Sequence, residues 1–407
     1  LRRVGAQPQT ITIKSHADCN ILLDIVYSVC MSKPFTPIVT PKLCSPKAAN
    51  ENFTKYNSCF SFADMKMVAR LINNMEGKTL IQPEAFKSAK KLYTALDTYF
   101  KDTCGEGQEQ CWIEQPALRS VSSAYSELAK RFRPRMNASW LKNKYQWLDT
   151  FDILRVMKQY EDVHKSFEFL GVFPCDVFDD KVCSRYNVCG FDVKDCLRRR
   201  KKQVGIVFNL DCDHQPGSHW VSVYANMDPK SNKYGVFYYD SMGNRPPKKH
   251  ISEFIERIRK CVNEAYCNKK DAAECKSFFS AEVNTVQHQF KNSECGMYAM
   301  LAIILCCERN DCCFRDIVNL INPRSDEDVN QLRQHLYSPP QSQIIQRVEQ
   351  GGGGSMRSKG KSTMSKRVIN AAKKSGPKLK SKTSPGDAQI IPRVTTRRHM
   401  NPGGLKK

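Results

Sequence analysis

Apolar positions along this chain change their period twice. In EAFKSAKKLYTALDTYFK, from residue 84 on, Phe86, Ala89, Leu92, Leu96 and Phe100 recur at helical spacing. That spacing predicts an amphipathic helix that stops before Cys104-Gly105. The signature repeats over Pro116 to Arg133 and over Trp140 to about Phe169, where Trp147, Ile153, Met157 and Tyr160 stand among charges. A helical lobe is therefore expected over residues 80–180. Ahead of it, residues 1–79 carry Pro34, Pro37, Pro41 and Pro46 and one strong apolar run, ILLDIVYSVCM at 21–31. This predicts an irregular, partly helical N-terminal extension.

Past residue 200 the pattern becomes that of strands. VGIVFNL at 204–210, HWVSVYANM at 219–227 and YGVFYYD at 234–240 are rich in Val, Tyr and Phe and are separated by Asp, Pro, Gly and Asn, which predicts three consecutive strands. Ile251, Phe254, Ile255, Ile258 and Val262 make a helix of His250 to Asn263, and Ala281 to Gln289 reads as a fourth strand. A short polar loop, Lys291 to Glu294, then delivers Cys295 and Gly296 into the continuous apolar run Met297 to Cys307, the mark of a buried helix. The order over residues 181–345 is strand, strand, strand, helix, strand, loop, helix. It predicts an α+β fold with a mixed central sheet flanked by helices.

Composition adds a tail and a charge bias. Gly-rich residues 346–355, with GGGGS in the look of an engineered flexible linker, lead into a Lys/Arg/Ser/Gly/Pro-rich segment, 356–407, with few large apolar groups. Disorder is expected there. Beyond Ser355 stand fifteen Lys or Arg against one acidic residue, Asp387, so +14 of the net +23 is in the tail. Such a balance implies a polyanionic partner, most simply nucleic acid bound through the basic tail. No apolar stretch reaches bilayer-spanning length, so no membrane partner is expected. The opening LRRVGAQPQT begins at Leu1 and lacks a signal peptide's apolar core, which reads as a trimmed product with no export signal. The nineteen cysteines are scattered without any CxxC pair. The expectation is reduced, mostly buried thiols in an intracellular reducing compartment, and no metal site.

Thiolate attack on a carbonyl needs a base within reach of the sulfur, a group that fixes the base's tautomer, and donors for the developing oxyanion. Cys295 at a helix start sits where unpaired backbone N–H groups favour negative charge. His219 opens one strand, Asp240 closes the next, and Gln289 lies six residues before the cysteine. His214 and His288 compete with His219, and Gln287 with Gln289. Each residue alone has a structural reading: a packed histidine, a turn-capping aspartate, an ordinary strand glutamine, a core thiol. Packing alone would not require the four together. Trp220, Glu294 and Gly296 adjoin these positions and are the candidates for substrate binding, Gly296 because a residue without a side chain leaves space beside the sulfur.

The blocks GSHWVSVYANM, YYDSMGNRPP, HQFKNSECGMY and RSDEDVNQLRQHLY, with CGEGQEQCWIEQPAL more weakly upstream, resemble the superfamily of SUMO-specific and adenovirus-type proteases. Over about residues 80–337 they look most like the polyprotein-processing proteases of African swine fever virus and related nucleocytoplasmic large DNA viruses. The swine fever enzyme has Asn where this chain has Asp240, whereas Asp is the common choice elsewhere in the superfamily. The resemblance implies a papain-like, SUMO-protease-like core and cysteine endopeptidase activity, with Cys295 as nucleophile, His219 as general base, Asp240 as its orienter and Gln289 as oxyanion donor. It further implies cleavage of viral structural precursors after Gly-Gly-type motifs during virion maturation, in the virion and the host cytoplasm. No cofactor is required, with DNA or a basic peptide as an activator. Gly403 and Gly404 form a candidate self-cleavage site. The alternatives are a SUMO- or ubiquitin-deconjugating protease and a non-catalytic DNA-binding virion protein.

Overall fold

The computed structural model describes residues 43–340, apart from 78, 187 and 268–278. The expected helix at 21–31, the Gly-rich linker, the basic tail, Gly403 and Gly404 lie outside the described residues. The first hydrophobic core runs from Cys44 to Phe132 and centres on Phe60, Phe100, Trp112 and Phe132. It is enclosed by α1 (Phe62–Glu76), α2 (Ala89–Cys104), α3 (Glu109–Glu114) and α4 (Ser122–Ala129). The helical lobe thus begins well before residue 80. Phe86 belongs to a separate 3-10 turn, Pro83–Lys87, because Ser88 turns extended and caps α2 by accepting from Lys91 N. Ser61 caps α1 through a reciprocal capping box with Asp64.

The expectation of uniformly reduced thiols fails here. Cys44–Cys59, Cys104–Cys111 and Cys183–Cys189 are disulfides, and Cys312 is disulfide-bonded too. The fold holds the Cα atoms of the three pairs 5.0 to 5.6 Å apart, within the reach of a bridge.

The span expected to be helical to Phe169 divides. Asp149 caps α5 (Thr150–Val163), and β1 (Phe167–Pro174) follows almost at once. That strand is specified by a distant partner rather than by local pattern: it pairs in parallel with β2 (Gln203–Asn209). After α6 (Val193–Arg198) and β2 come β3 (Trp220–Asn226) and β4 (Gly235–Tyr239), antiparallel in turn. Beyond α7 (Ile251–Cys267), β5 (Ser280–Val283) closes the order parallel to β4. The sheet among the described residues is mixed and ordered β1-β2-β3-β4-β5. β5 stops at Val283 instead of reaching Gln289, because the Asn284 side chain bonds to Asp240 O and Val286 O and turns the chain into a loop.

Alternation within the strands sends one set of side chains to each face. Val204, Ile206, Phe208, Val221, Val223, Val236 and Tyr238 meet Ile251, Phe254, Ile258 and Val262 of α7. Val207, Tyr224, Phe237 and Tyr239 meet α5 and α8 (Cys295–Glu308) on the other. Every residue of α8 from Cys295 to Cys307 is buried, which explains why its sequence has no polar face. Gly205 lets α8 approach the sheet: a Cβ there would lie 2.8 Å from the Phe167 ring and 3.2 Å from Ile303. Two further helices, α9 (Phe314–Ile321) and α10 (Asp326–Gln331), complete this face.

Candidate active site

β3 and β4 run antiparallel with Ser222 opposite Tyr239, so the residue just before β3 and the residue just after β4 share one end of the sheet. Those residues are His219 and Asp240. His219 Nε2 lies 2.7 Å from Asp240 Oδ1, and the Cys295 side chain is close enough to act on the charge of the same ring. With Nε2 on the carboxylate, Nδ1 is the ring nitrogen left for a thiol proton. Asp240 is fully buried, and its Oδ1 also accepts from Met242 N at 2.8 Å, so the carboxylate is held before any proton moves. Burial works against charge on His219, but the hydrogen bond to Asp240 and the influence of the Asp240 and Cys295 side chains outweigh it and raise the ring to about 9.

Cys295 is the first residue of α8 and is buried. Its N–H has no carbonyl one turn back inside the helix. The approach loop is fastened to the turn that carries the aspartate: His288 N and Gln289 N both donate to Ser241 O, at 2.8 and 2.9 Å, and Asn284 Nδ2 donates to Asp240 O at 2.7 Å. On its other side, Phe290 N and Lys291 N both donate to Asp326 Oδ2. Gln289 is buried, its Oε1 accepting from Ser241 Oγ at 2.7 Å and its Nε2 donating to Lys291 O. The partners fix which way the amide points, and one of its two N–H bonds can still be given to another acceptor.

The structure separates the rivals. His288 is buried between the rings of Tyr239 and Tyr298, with Nδ1 on the Tyr239 hydroxyl at 2.8 Å, and burial pushes it down to about 4. It is a neutral core histidine. His214 is exposed. Gln287 spends its amide on Gln289 O.

Two of the substrate-binding expectations need correction. Glu294 is fully buried, and its carboxylate faces away from solvent into Arg333 and Asn330. A charge in that position requires a partner and cannot serve a substrate. At Gly296 the missing side chain makes room for the protein itself: a Cβ would meet both Leu148 and Trp220 at 3.2 Å. Trp220 is half-buried beside His219, its Nε1 donating to Leu148 O at 3.1 Å. Sequence reasoning passed over Ser241, Asn284, Leu148 and Asp326. Only Ser241, adjacent to Asp240, carried a signal of position; the others are brought in by contacts across 35 residues or more.

A sulfur at a helix start, a histidine ring beside it and a buried carboxylate behind the ring are what acyl transfer through a thiol requires, and they define the class as cysteine peptidase. Residues 195–348 match the model of the Ulp1 protease family, C-terminal catalytic domain. The chain is 26% identical over 276 residues to a thiol protease of Acanthamoeba polyphaga mimivirus, covering 64% of this chain and 83% of that one. It is 22% identical over 262 residues to a cysteine protease of African swine fever virus, covering 61% and 90%. The crystal structure of the African swine fever virus protease superposes with a TM-score of 0.48 at 17% identity, over 74% of this chain and 97% of that one. The chain carries a Ulp1-family protease domain and is a cysteine peptidase related to viral thiol proteases. Peptidases of this kind need no cofactor for the chemistry.

Proposed function

We propose that the protein is an endopeptidase that cleaves viral precursor polypeptides after Gly-Gly-type motifs during virion maturation, with Cys295 as nucleophile, His219 as base and acid, Asp240 as the group that orients the ring, and Gln289 as oxyanion donor. The observation that carries it is the single ring that is bonded to the buried Asp240 carboxylate and whose charge the Cys295 side chain also favours. His219 takes the thiol proton; the thiolate forms a C–S bond to the scissile carbonyl. The oxyanion receives the Cys295 N–H and the remaining N–H of Gln289 Nε2. Collapse breaks the C–N bond as the imidazolium protonates the leaving amine. Water, deprotonated by His219, then attacks the thioester, releasing the acid and restoring the thiol.

Small residues at the scissile bond are supported by the indole of Trp220, which is fixed to Leu148 O and stands against Gly296 as a wall beside the reacting atoms. Longer side chains have a place further out: Phe290, 77% exposed, and the exposed Met242 and Val286 flank Gln289 and Asp240. The viral thiol proteases among the relatives support a viral substrate in the virion or infected cytoplasm. The +14 tail supports salt-sensitive contact with nucleic acid. A panel of Gly-Gly-Xaa peptides, with and without duplex DNA, tests the reading. Cleavage after the second Gly, lost in Cys295→Ala, is expected; turnover of the panel by folded Cys295→Ala protein refutes it. The Ulp1-family match favours a second reading, deconjugation of a ubiquitin-like modifier; faster turnover of fluorogenic SUMO or ubiquitin than of any peptide would establish it. Equal intact masses of active and Cys295→Ala protein would eliminate self-cleavage at Gly403-Gly404.

A further inference from the structure

Beyond the peptidase site, three potential metal ligands converge where no metal was expected. Cys175 follows the end of β1, Cys212 lies in the loop between β2 and β3, and His250 precedes α7. Their ligand atoms all lie within 4.8 Å of one another. The two sulfurs are 3.9 Å apart. That separation is far beyond the ~2.05 Å of a disulfide and close to the ~3.8 Å edge set by a tetrahedral zinc ion with Zn–S bonds of about 2.3 Å.

We infer that Cys175, Cys212 and His250 form a zinc site. The surroundings fit a divalent cation. Asp179 Oδ1 is 3.1 Å from His250 Nδ1: it orients the ring if Nε2 ligates and supplies a fourth ligand if Nδ1 does. The two thiol-bearing segments are already joined, Cys175 N donating to Asp211 O at 3.3 Å and Asp213 N to Asp176 Oδ1 at 3.0 Å. His250 itself takes a left-handed backbone, φ +62°, a conformation a non-glycine residue keeps only when its surroundings hold it there.

The position gives such a site a purpose. Cys212 lies seven residues before His219, in a loop braced by Asp211 through Gly217 N and Ser218 Oγ. His250 ends the segment that leaves Asp240. One ion would therefore tie together the two segments that carry the ring and the carboxylate, and both to the end of β1. It takes no part in acyl transfer.

The test is metal content, independent of catalysis. Full-length protein purified without chelator is expected to hold about one zinc per chain by elemental analysis. Cys212→Ser and His250→Ala should each lose it while Cys306→Ser keeps it. Asp179→Ala should weaken affinity about 10- to 100-fold in competition with a chromophoric chelator. Cobalt(II) added to stripped wild-type protein should give the thiolate charge-transfer and tetrahedral d–d bands, absent in Cys212→Ser. Wild-type protein that is metal-free, refuses cobalt and shows either free thiols at both positions or a Cys175–Cys212 disulfide by peptide mapping would overturn the inference.

Discussion

The two ends of α8 present the same side chain in opposite circumstances. At its first residue, Cys295 meets a histidine ring backed by a carboxylate. At its far end, Cys306 and Cys307 are as deeply buried, but burial pushes Cys306 up to about 12 and Cys307 well above its ordinary value, against the counter-effect of Lys233 on each. Lys233 itself is occupied by Arg309 O and Cys312 O. Burial is thus shared by a reaction centre and by inert core; what differs is a partner able to take the proton. Two histidines repeat the lesson, the partly buried His219 raised to about 9 beside a carboxylate and the buried His288 lowered to about 4 between tyrosines.

Substitution at each end breaks the comparison most directly. Cys295→Ala should reduce kcat by at least about 10⁴-fold with an unchanged melting temperature, whereas Cys306→Ser should retain kcat and lose about 1–3 kcal/mol from an unpaired buried hydroxyl. Iodoacetamide should modify Cys295 in the native protein and spare Cys306 and Cys307, as peptide mapping would show. Gln289→Ala is expected to lower kcat about 10²–10³-fold with little change in KM, the loss of one oxyanion donor. Alanine activity equal to wild type would remove Gln289 from the mechanism.

The pH profile sharpens the role of the carboxylate. An imidazolium raised to about 9 predicts a basic limb of kcat/KM near that value, because the thiolate–imidazolium pair loses its proton above it. In Asp240→Asn the limb should move toward neutrality. The same shift bears on stability. A ring raised from 6.5 to about 9 stabilises the fold fully below 6.5, and this contribution disappears as pH rises through about 9. The pH dependence of unfolding in Asp240→Asn should flatten across that window. A small catalytic effect is expected from Glu294→Gln: kcat within a few-fold, but about 3–5 kcal/mol lower stability, since the Arg333 charge is left buried without its partner.

Much of this was legible in the chain. Val, Tyr and Phe runs marked β2, β3 and β4 to within a residue or two, and the unbroken apolar run marked α8, because burial on both faces erases periodicity. The His, Asp, Gln and Cys positions stood out as strand-end or helix-start residues. β1 did not: its partner is a parallel strand beyond α6, so its local pattern continued that of the preceding helix. Glu294 and Gly296 were misread for the same kind of reason, since sequence adjacency to Cys295 says nothing of which way a side chain points.

The sequence by itself determined the buried helix α8, the three strands β2, β3 and β4, and which residue types are available for thiol chemistry, because those depend on local period and composition. The tertiary structure decided which groups meet. The antiparallel register of β3 and β4 sets His219 against Asp240, and the Ser241 and Asp326 bonds bring the approach loop to that end of the sheet. The burial of α8 places Cys295 within reach of the ring's charge. Long-range pairing is a property of the whole chain's packing, so one particular thiol met a histidine–carboxylate pair only through contacts that no local pattern encodes.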